Sequence, residues 1–146
     1  MKRLISLIII CLPIYASAQL PELRALATEY ELANDVTVTH LEGDMLKVAF
    51  AENANNITSI DVIASTNAVA SAEIFNKATA IMGRYNIEPA IKSETNEVSA
   101  IIYTIKAQGA ITDIIVIVKQ AENGVVSVIS GNIPEDELSK YVQVAM

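Results

Sequence analysis

The residues whose types and spacing could do chemistry lie in one short segment around the single histidine of the chain. The segment reads His40-Leu41-Glu42-Gly43-Asp44 and spaces an imidazole and two carboxylates two residues apart. Alternate side chains of a β-strand point to the same face, so a strand running through Asp44 would place His40, Glu42 and Asp44 together. Two carboxylates and an imidazole can hold a divalent metal that activates water. The segment therefore gives one hypothesis, a metal-dependent hydrolase.

The local pattern favours a second interpretation, in which the segment holds no metal. Gly43 typically interrupts a strand, and Asp44 is a residue type that commonly begins a helix. His40 is then an ordinary, partly exposed strand residue. Asp61 and Asp113 also stand within apolar segments. Burial would raise the pKa of either carboxyl and make it an acid–base candidate, whereas a place on the solvated face would not.

Other catalytic motifs are absent from the sequence. It contains no Gly-x-Ser-x-Gly elbow, and no phosphate-binding loop, dinucleotide fingerprint or EF-hand loop. A Ser–Lys pair could only come from neighbours such as Ser139-Lys140, and adjacent residues do not face each other on a helix. We therefore expect no cofactor and predict a protein that is not an enzyme.

The first residues have the pattern of an export signal. Lys2 and Arg3 precede an apolar run over residues 4–12, and Ala16-Ser17-Ala18 supplies the small residues that signal peptidase recognises. The run is shorter than the roughly 20 residues of a permanent membrane span. We predict a cleaved signal over residues 1–18, a single domain over residues 19–146, and no stable membrane span after cleavage. The expected location is the periplasm or the medium.

Cys11, the only cysteine, lies inside that apolar run and follows Ile9 and Ile10. A lipid-modified cysteine normally follows a small residue, so we do not expect a lipoprotein anchor. Cleavage after Ala18 would leave no cysteine, and with it no disulfide, thiol catalysis or cysteine-bound metal.

The charge balance is acidic. The chain of 146 residues has 10 basic and 17 acidic residues, for a net charge of −7. Loss of Lys2 and Arg3 with the signal would leave 8 basic residues against 17 acidic ones, a net charge of −9. Such a domain is repelled by nucleic acid and by anionic lipid, and we expect neither as a partner.

The periodicity of the chain predicts helices followed by an antiparallel meander. A stripe over Ile74, Phe75, Ala78, Ile81, Met82 and Tyr85 indicates a helix, and Asn123-Gly124 between apolar runs indicates a hairpin turn. The expected elements are helix 20–34, strand 36–41, a helical turn from Asp44, strand 57–65, helix 67–85, strands 87–92, 98–107, 112–119 and 125–130, and a final helix after Pro134. The order predicts an α+β domain of the ferredoxin-like sort, an antiparallel sheet of about 4–6 strands with helices packed on one face.

The second half of the chain resembles a known family. The stretch Gly109-Ala110-Ile111-Thr112-Asp113-Ile114-Ile115-Val116-Ile117-Val118 and the later Val125-Val126-Ser127-Val128-Ile129-Ser130-Gly131-Asn132-Ile133 are similar to a family of exported Bacteroidota proteins catalogued as domain of unknown function 4252. Asp44-Met45-Leu46 and the N-terminal signal also fit. Many members look like lipoproteins, and this chain departs from them in lacking a lipobox. The resemblance implies a cell-envelope or secreted location and an α+β fold, and it implies no reaction.

The absence of catalytic motifs favours a binding role. Edge strands expose backbone groups to which a partner strand can add. We therefore predict a binding module for an envelope protein or a small ligand, and the metal-dependent hydrolase at His40, Glu42 and Asp44 is the alternative. The sequence leaves the oligomeric state open.

Overall fold

The computed structural model describes residues 21–50 and 56–138. Within these residues, three helices and six strands follow one another in the order α1, β1, α2, β2, α3, β3, β4, β5, β6, and a short 3-10 turn, Glu135–Glu137, comes last. The helices are α1 Pro21–Tyr30, α2 Asp44–Phe50 and α3 Ala68–Arg84. The strands are β1 Val36–Glu42, β2 Ile57–Ser65, β3 Pro89–Glu94, β4 Val98–Ala107, β5 Ala110–Gln120 and β6 Asn123–Ile133.

The strands form one antiparallel sheet in the order β1-β2-β6-β5-β4-β3. Strands β5 and β6 lie at its centre, and the aliphatic run of β5 is almost completely buried there. Strands β1 and β3 lie at the two edges. A strand that is apolar on both faces belongs inside a sheet that is covered on both sides.

Two apolar clusters cover opposite faces of this sheet. Successive side chains of a strand point to opposite faces, so the residues of β5 are divided between the two clusters. The helix-side cluster joins α1 and α3 to the sheet and includes Leu23, Leu26, Tyr30, Ile63, Ile74, Met82, Ile115, Ile117, Val126 and Val128. The far-side cluster includes Leu46, Ile57, Ile60, Ile102, Ile111, Ile114, Val116, Ile129 and Ile133. Leu46 comes from α2, so this short helix packs on the opposite face from α1 and α3.

Helix α3 begins at a well-formed cap. Asn67 accepts hydrogen bonds through its side chain from the backbone N–H groups of Val69 and Ala70, at 2.9 and 3.0 Å. Such a cap satisfies donors that the first helical turn leaves without partners. The same end of the helix packs very closely on β6, because a Cβ at Gly124 would lie only 2.8 Å from the Cβ of Ser71.

The predicted α+β class is confirmed, and the sheet has six antiparallel strands. The prediction that all helices pack on one face is wrong for α2. The predicted hairpin between the last two strands is confirmed, but its turn lies at Ala121 and Glu122 rather than at Asn123-Gly124, since both of those residues lie in β6 and Gln120 pairs with Asn123. The ferredoxin-like packing stays a prediction. The predicted signal of residues 1–18 lies outside the described residues, and no helix among those residues is long and apolar enough to span a membrane.

Candidate functional site

The site is built on the edge strand β1 and its neighbour β2. The pairing register places His40 directly opposite Asp61 and Glu42 directly opposite Ser59. Because alternate residues share a face, His40, Glu42, Ser59 and Asp61 all project from the helix side of the sheet, where Val38 and Ile63 also lie. The pairing of two strands that are distant in sequence thus brings the single histidine of the chain next to two carboxylates.

The imidazole of His40 lies between two carboxylates. Its Nδ1 bonds to Oδ1 of Asp61, and its Nε2 lies 3.2 Å from Oε2 of Glu42. An ionised carboxylate only accepts hydrogen bonds, so both contacts require a proton on the ring nitrogen. The hydrogen bonds to Asp61 and then to Glu42 raise the pKa of His40 above its ordinary value. Both contacts therefore favour the protonated ring, the imidazolium, although its side chain is 45% exposed.

The structure does not form the predicted trio of His40, Glu42 and Asp44. Strand β1 ends at Glu42, Gly43 turns the chain with a φ of +60°, and Asp44 begins α2. Asp61 from β2, rather than Asp44, supplies the second carboxylate beside His40. Within residues 21–50 and 56–138, no group of three His, Cys, Asp or Glu side chains is arranged to hold a metal ion.

A groove opens beside this imidazolium, between α1 and the helix side of β1, β2 and β6. Its volume is about 440 Å³. Its walls are mainly aliphatic and its rim carries the polar groups. The lining residues are Leu23, Ala27, Val38, Ile63, Val126 and Val128, with Arg24, Thr28, Glu31, His40, Glu42, Ser59 and Asp61. Apolar walls with a few convergent polar groups are typical of small-molecule sites.

Helix α1 forms one wall of the groove because its other side is fastened to α3. The hydroxyl of Tyr30 donates a hydrogen bond of 2.9 Å to Glu73. Lys77 lies over the Tyr30 ring and bonds to Glu29 at 2.7 Å, and Arg84 pairs with Glu22 at the other end of the helix. These contacts fix the helix from the side that faces away from the groove.

Asp113 has very different surroundings from Asp61. It lies on β5 opposite Ser130 and is only 1% exposed. The hydroxyl of Ser130 donates a hydrogen bond of 2.7 Å to Oδ1, and the hydroxyl of Thr112 lies 3.0 Å from Oδ2. Burial raises the pKa of Asp113, and these two hydroxyl groups only partly oppose that effect. Asp113 is not among the residues that line the groove, so it serves the interior of the sheet.

The Thr112 hydroxyl lies within hydrogen-bond distance of two acceptors. Its oxygen lies 3.2 Å from the carbonyl oxygen of Ile105 as well as 3.0 Å from Oδ2 of Asp113. A hydroxyl has one proton and can donate to only one of these acceptors. A protonated Asp113 satisfies the whole arrangement, because its carboxyl proton goes to Thr112 while Thr112 donates to Ile105.

The groove geometry does not support nucleophilic catalysis by a Ser–His–Asp triad. Ser59 shares the groove with His40 and Asp61, the three residue types of a catalytic triad. A triad needs a neutral imidazole with one nitrogen free to accept the serine proton. Both nitrogens of His40 face carboxylates instead, so the ring offers no base to Ser59.

The sequence identified His40 and Glu42 but missed the role of Asp61 and the groove. Asp61 stood out only as an acid in an apolar segment, and nothing local indicates that β1 and β2 pair with His40 opposite it. The groove walls come from α1 and three strands, and their apolar residues have the ordinary pattern of a core.

Comparison with known proteins places the chain in a family without assigning it an activity. No curated protein matches the chain. A family model matches residues 30–141, which include β1, β2, the groove histidine and the whole sheet. This match covers well over half of the chain, and the protein belongs to the family described as domain of unknown function 4252 (DUF4252).

Proposed function

We propose that the protein is an exported, non-enzymatic binding module that holds a small amphipathic ligand in the groove between α1 and the sheet. The observation that carries this proposal is the groove itself, a space of about 440 Å³ with aliphatic walls and a charged rim. Burying apolar ligand surface contributes roughly 25 cal/mol per Å², and the rim groups orient the polar end of the ligand.

Two other clefts among the described residues are less suited to such a ligand. The cleft between α1 and α3 is lined by Glu22, Glu29, Lys77 and Arg84, and their ion pairs already occupy its rim. The cleft at the ends of the β3–β4 and β5–β6 hairpins is mostly polar, with Thr95–Glu97, Ser99 and Lys119–Ala121 around it. The first of them has aliphatic residues as well, but its charged side chains are already paired with one another, and the second lacks an aliphatic wall.

A pair of substitutions on α1 tests the groove. Ala27 lines it, so Ala27→Leu should fill part of the space and weaken the binding of octanol, a neutral amphipathic probe, by about tenfold or more. Ala25 is exposed on the same helix and lines the cleft towards α3, so Ala25→Leu is the matched control and should leave binding unchanged. Isothermal titration calorimetry measures both. Equal effects of the two substitutions, or no octanol binding to the unchanged protein, would refute the proposal.

Export is part of the proposal and has its own test. The charged start, the apolar run over residues 4–12 and Ala16-Ser17-Ala18 support cleavage after Ala18. N-terminal sequencing of the protein purified from its natural source should begin at Gln19. An intact Met1 would contradict export by this route.

An envelope protein that adds a strand to β1 is the second candidate. The two edges of the sheet differ, because β3 carries Pro89, Lys92 and Glu94, residue types that discourage edge pairing. Strand β1 has seven residues and contains neither proline nor lysine. Its exposed Thr39 gives a direct test. Thr39→Lys should abolish capture of the partner from envelope extract, whereas Ser93→Lys on β3 should not. Capture that neither substitution changes would argue against this candidate.

A further inference from the structure

We infer that the groove selects ligands that carry a positive charge beside an apolar body, and that the cation of the ligand replaces His40 between Asp61 and Glu42. This inference rests on the proposed function, because it specifies the ligand class of the same groove. It goes further in assigning His40 the role of a built-in competitor rather than a catalytic or metal-binding residue.

The charges around the groove favour a cation. Helix α1 contributes Arg24 and Glu31, β1 contributes His40 and Glu42, and β2 contributes Asp61. Strand β6 contributes only Val126 and Val128. Three carboxylates thus face one guanidinium and one imidazole. The net charge of these groups is −1 with His40 protonated and −2 with it neutral, and Arg24 already has an interaction partner of its own.

His40 occupies the position where the cation of a ligand would be best neutralised. Its two ring nitrogens contact Asp61 and Glu42, so the ring acts as an internal counter-ion. All three side chains reach solvent, with exposed fractions of 45% for His40, 66% for Glu42 and 27% for Asp61. Ion pairs this exposed contribute little to stability, so the imidazole can leave at small cost while the carboxylates remain on β1 and β2.

The apolar wall beside the carboxylates favours a ligand whose remaining part is apolar. Val38 precedes His40 on the same face of β1, and Ile63 follows Asp61 on the same face of β2. Leu23 and Ala27 face them from α1. An ammonium or guanidinium group at the carboxylates would therefore leave its alkyl or aromatic body against aliphatic side chains.

Exchange of the two cations links binding to pH. A ligand ammonium that displaces the imidazolium leaves His40 exposed to water, where its pKa returns towards 6.5, so the displaced ring releases its proton more readily as the pH rises above that value. A primary amine keeps its own proton over this range, since its pKa is close to that of lysine, about 10.4. Affinity for the amine should therefore rise from about pH 6 to about pH 8 as His40 ceases to compete.

Three probes of equal chain length test the inference by calorimetry: octylamine, octanol and octanoate. We expect octylamine to bind about tenfold or more tightly than octanol near pH 8, and octanoate to bind weakest, because each carboxylate contact to a cation is a charge-assisted hydrogen bond. Near pH 6 the advantage of octylamine should shrink, and His40→Ala should remove this pH dependence. Asp61→Asn with Glu42→Gln should bring octylamine down to the affinity of octanol.

The outcomes separate this inference from the proposed function. Octanol and octanoate binding as tightly as octylamine would overturn the cation inference and leave the groove as a binding site. An octylamine affinity that is independent of pH, or unchanged in His40→Ala, would overturn the role of His40 as competitor. Binding of none of the three probes would overturn both this inference and the proposed function.

Discussion

Asp61 and Asp113 both interrupt apolar strands, yet the two regions around them have opposite properties. Asp61 is on β2 next to the edge of the sheet, 27% exposed, and pairs with an imidazolium beside an open groove. Asp113 is on the central strand β5, 1% exposed, and has two hydroxyl groups as partners. Position in the sheet, rather than residue type, decides whether a carboxyl group is available to a ligand or serves the interior.

The largest expected effect concerns the interior region next to Asp113. A Cβ at Gly131 would lie 2.0 Å from the carbonyl oxygen of Asn56, and that oxygen also accepts a hydrogen bond from the backbone of Asn132. Gly131→Ala should lower the free energy of unfolding by about 3 kcal/mol. Gly83→Ala, which meets nothing within 4 Å on α3, should raise it by up to about 1 kcal/mol. Urea denaturation followed by circular dichroism measures both, and equal stabilities would show that this end of the sheet is not tightly packed.

Replacing each carboxyl group in turn should show a different loss of unfolding free energy in the two regions. Asp113→Ala removes the buried acceptor of the 2.7 Å hydrogen bond from Ser130 and should cost about 1–3 kcal/mol of unfolding free energy. Asp61→Ala removes an exposed ion pair and should cost less than about 1 kcal/mol. Octylamine affinity should respond in the reverse order, unchanged in Asp113→Ala and lowered towards that of octanol in Asp61→Ala. Equal stability losses in urea would contradict the distinction between interior and groove carboxyl groups.

A smaller effect is the pH dependence that Asp113 gives to stability. Burial raises its pKa in the folded state above the ordinary value of 3.8, so the folded protein binds more protons than the unfolded chain between these two values. Stability should therefore fall as pH rises through this interval and then level off. Asp113→Asn keeps the donor to Thr112 and the acceptor for Ser130, and should remove this part of the pH dependence. A protein whose urea midpoint has the same pH profile with Asp113 and with Asn would exclude a protonated carboxyl group there.

The smallest effect is expected from His40. Its pKa is raised in the folded state above 6.5, so the stability that its ion pairs contribute is present below pH 6.5 and is lost as pH rises through the folded value. Because the three groups are exposed, the contribution should be under about 1 kcal/mol. His40→Ala should therefore flatten the stability profile only slightly above neutral pH, while changing octylamine binding strongly. A large loss of stability in this variant would make His40 a structural residue.

Much of the fold could be predicted because local sequence patterns mark where its helices and strands begin and end. Strand β2 runs over Ile57–Ser65, the range that its apolar run predicted, and Asn67 and Tyr85 flank α3 as its caps. The hairpin at Asn123-Gly124 was predicted correctly, but the position of its turn was wrong for a tertiary reason. Gly124 is needed where β6 meets Ser71 of α3, and no local pattern distinguishes a glycine of close packing from a glycine of a turn.

The site was only half predictable for the same reason. His40 and Glu42 share a strand, so their common face follows from the sequence. The strand ends before Gly43, so Asp44 does not lie on the same face. Asp61 lies there because β2 pairs with β1 in a register that depends on the whole sheet. The groove needs α1, whose place is set by contacts such as Tyr30 with Glu73 on α3, 43 residues away in the chain.

The most direct test of the groove as a ligand site is a map of where a neutral amphipathic probe binds. Isotope-labelled protein titrated with octanol would be followed through its backbone amide signals by NMR. Our account predicts that the largest shifts occur at Ala27, Val38 and Val128, which come from three different elements around the groove. Shifts concentrated on β3 or on the hairpin residues around Thr95, or no shifts at saturation, would contradict it.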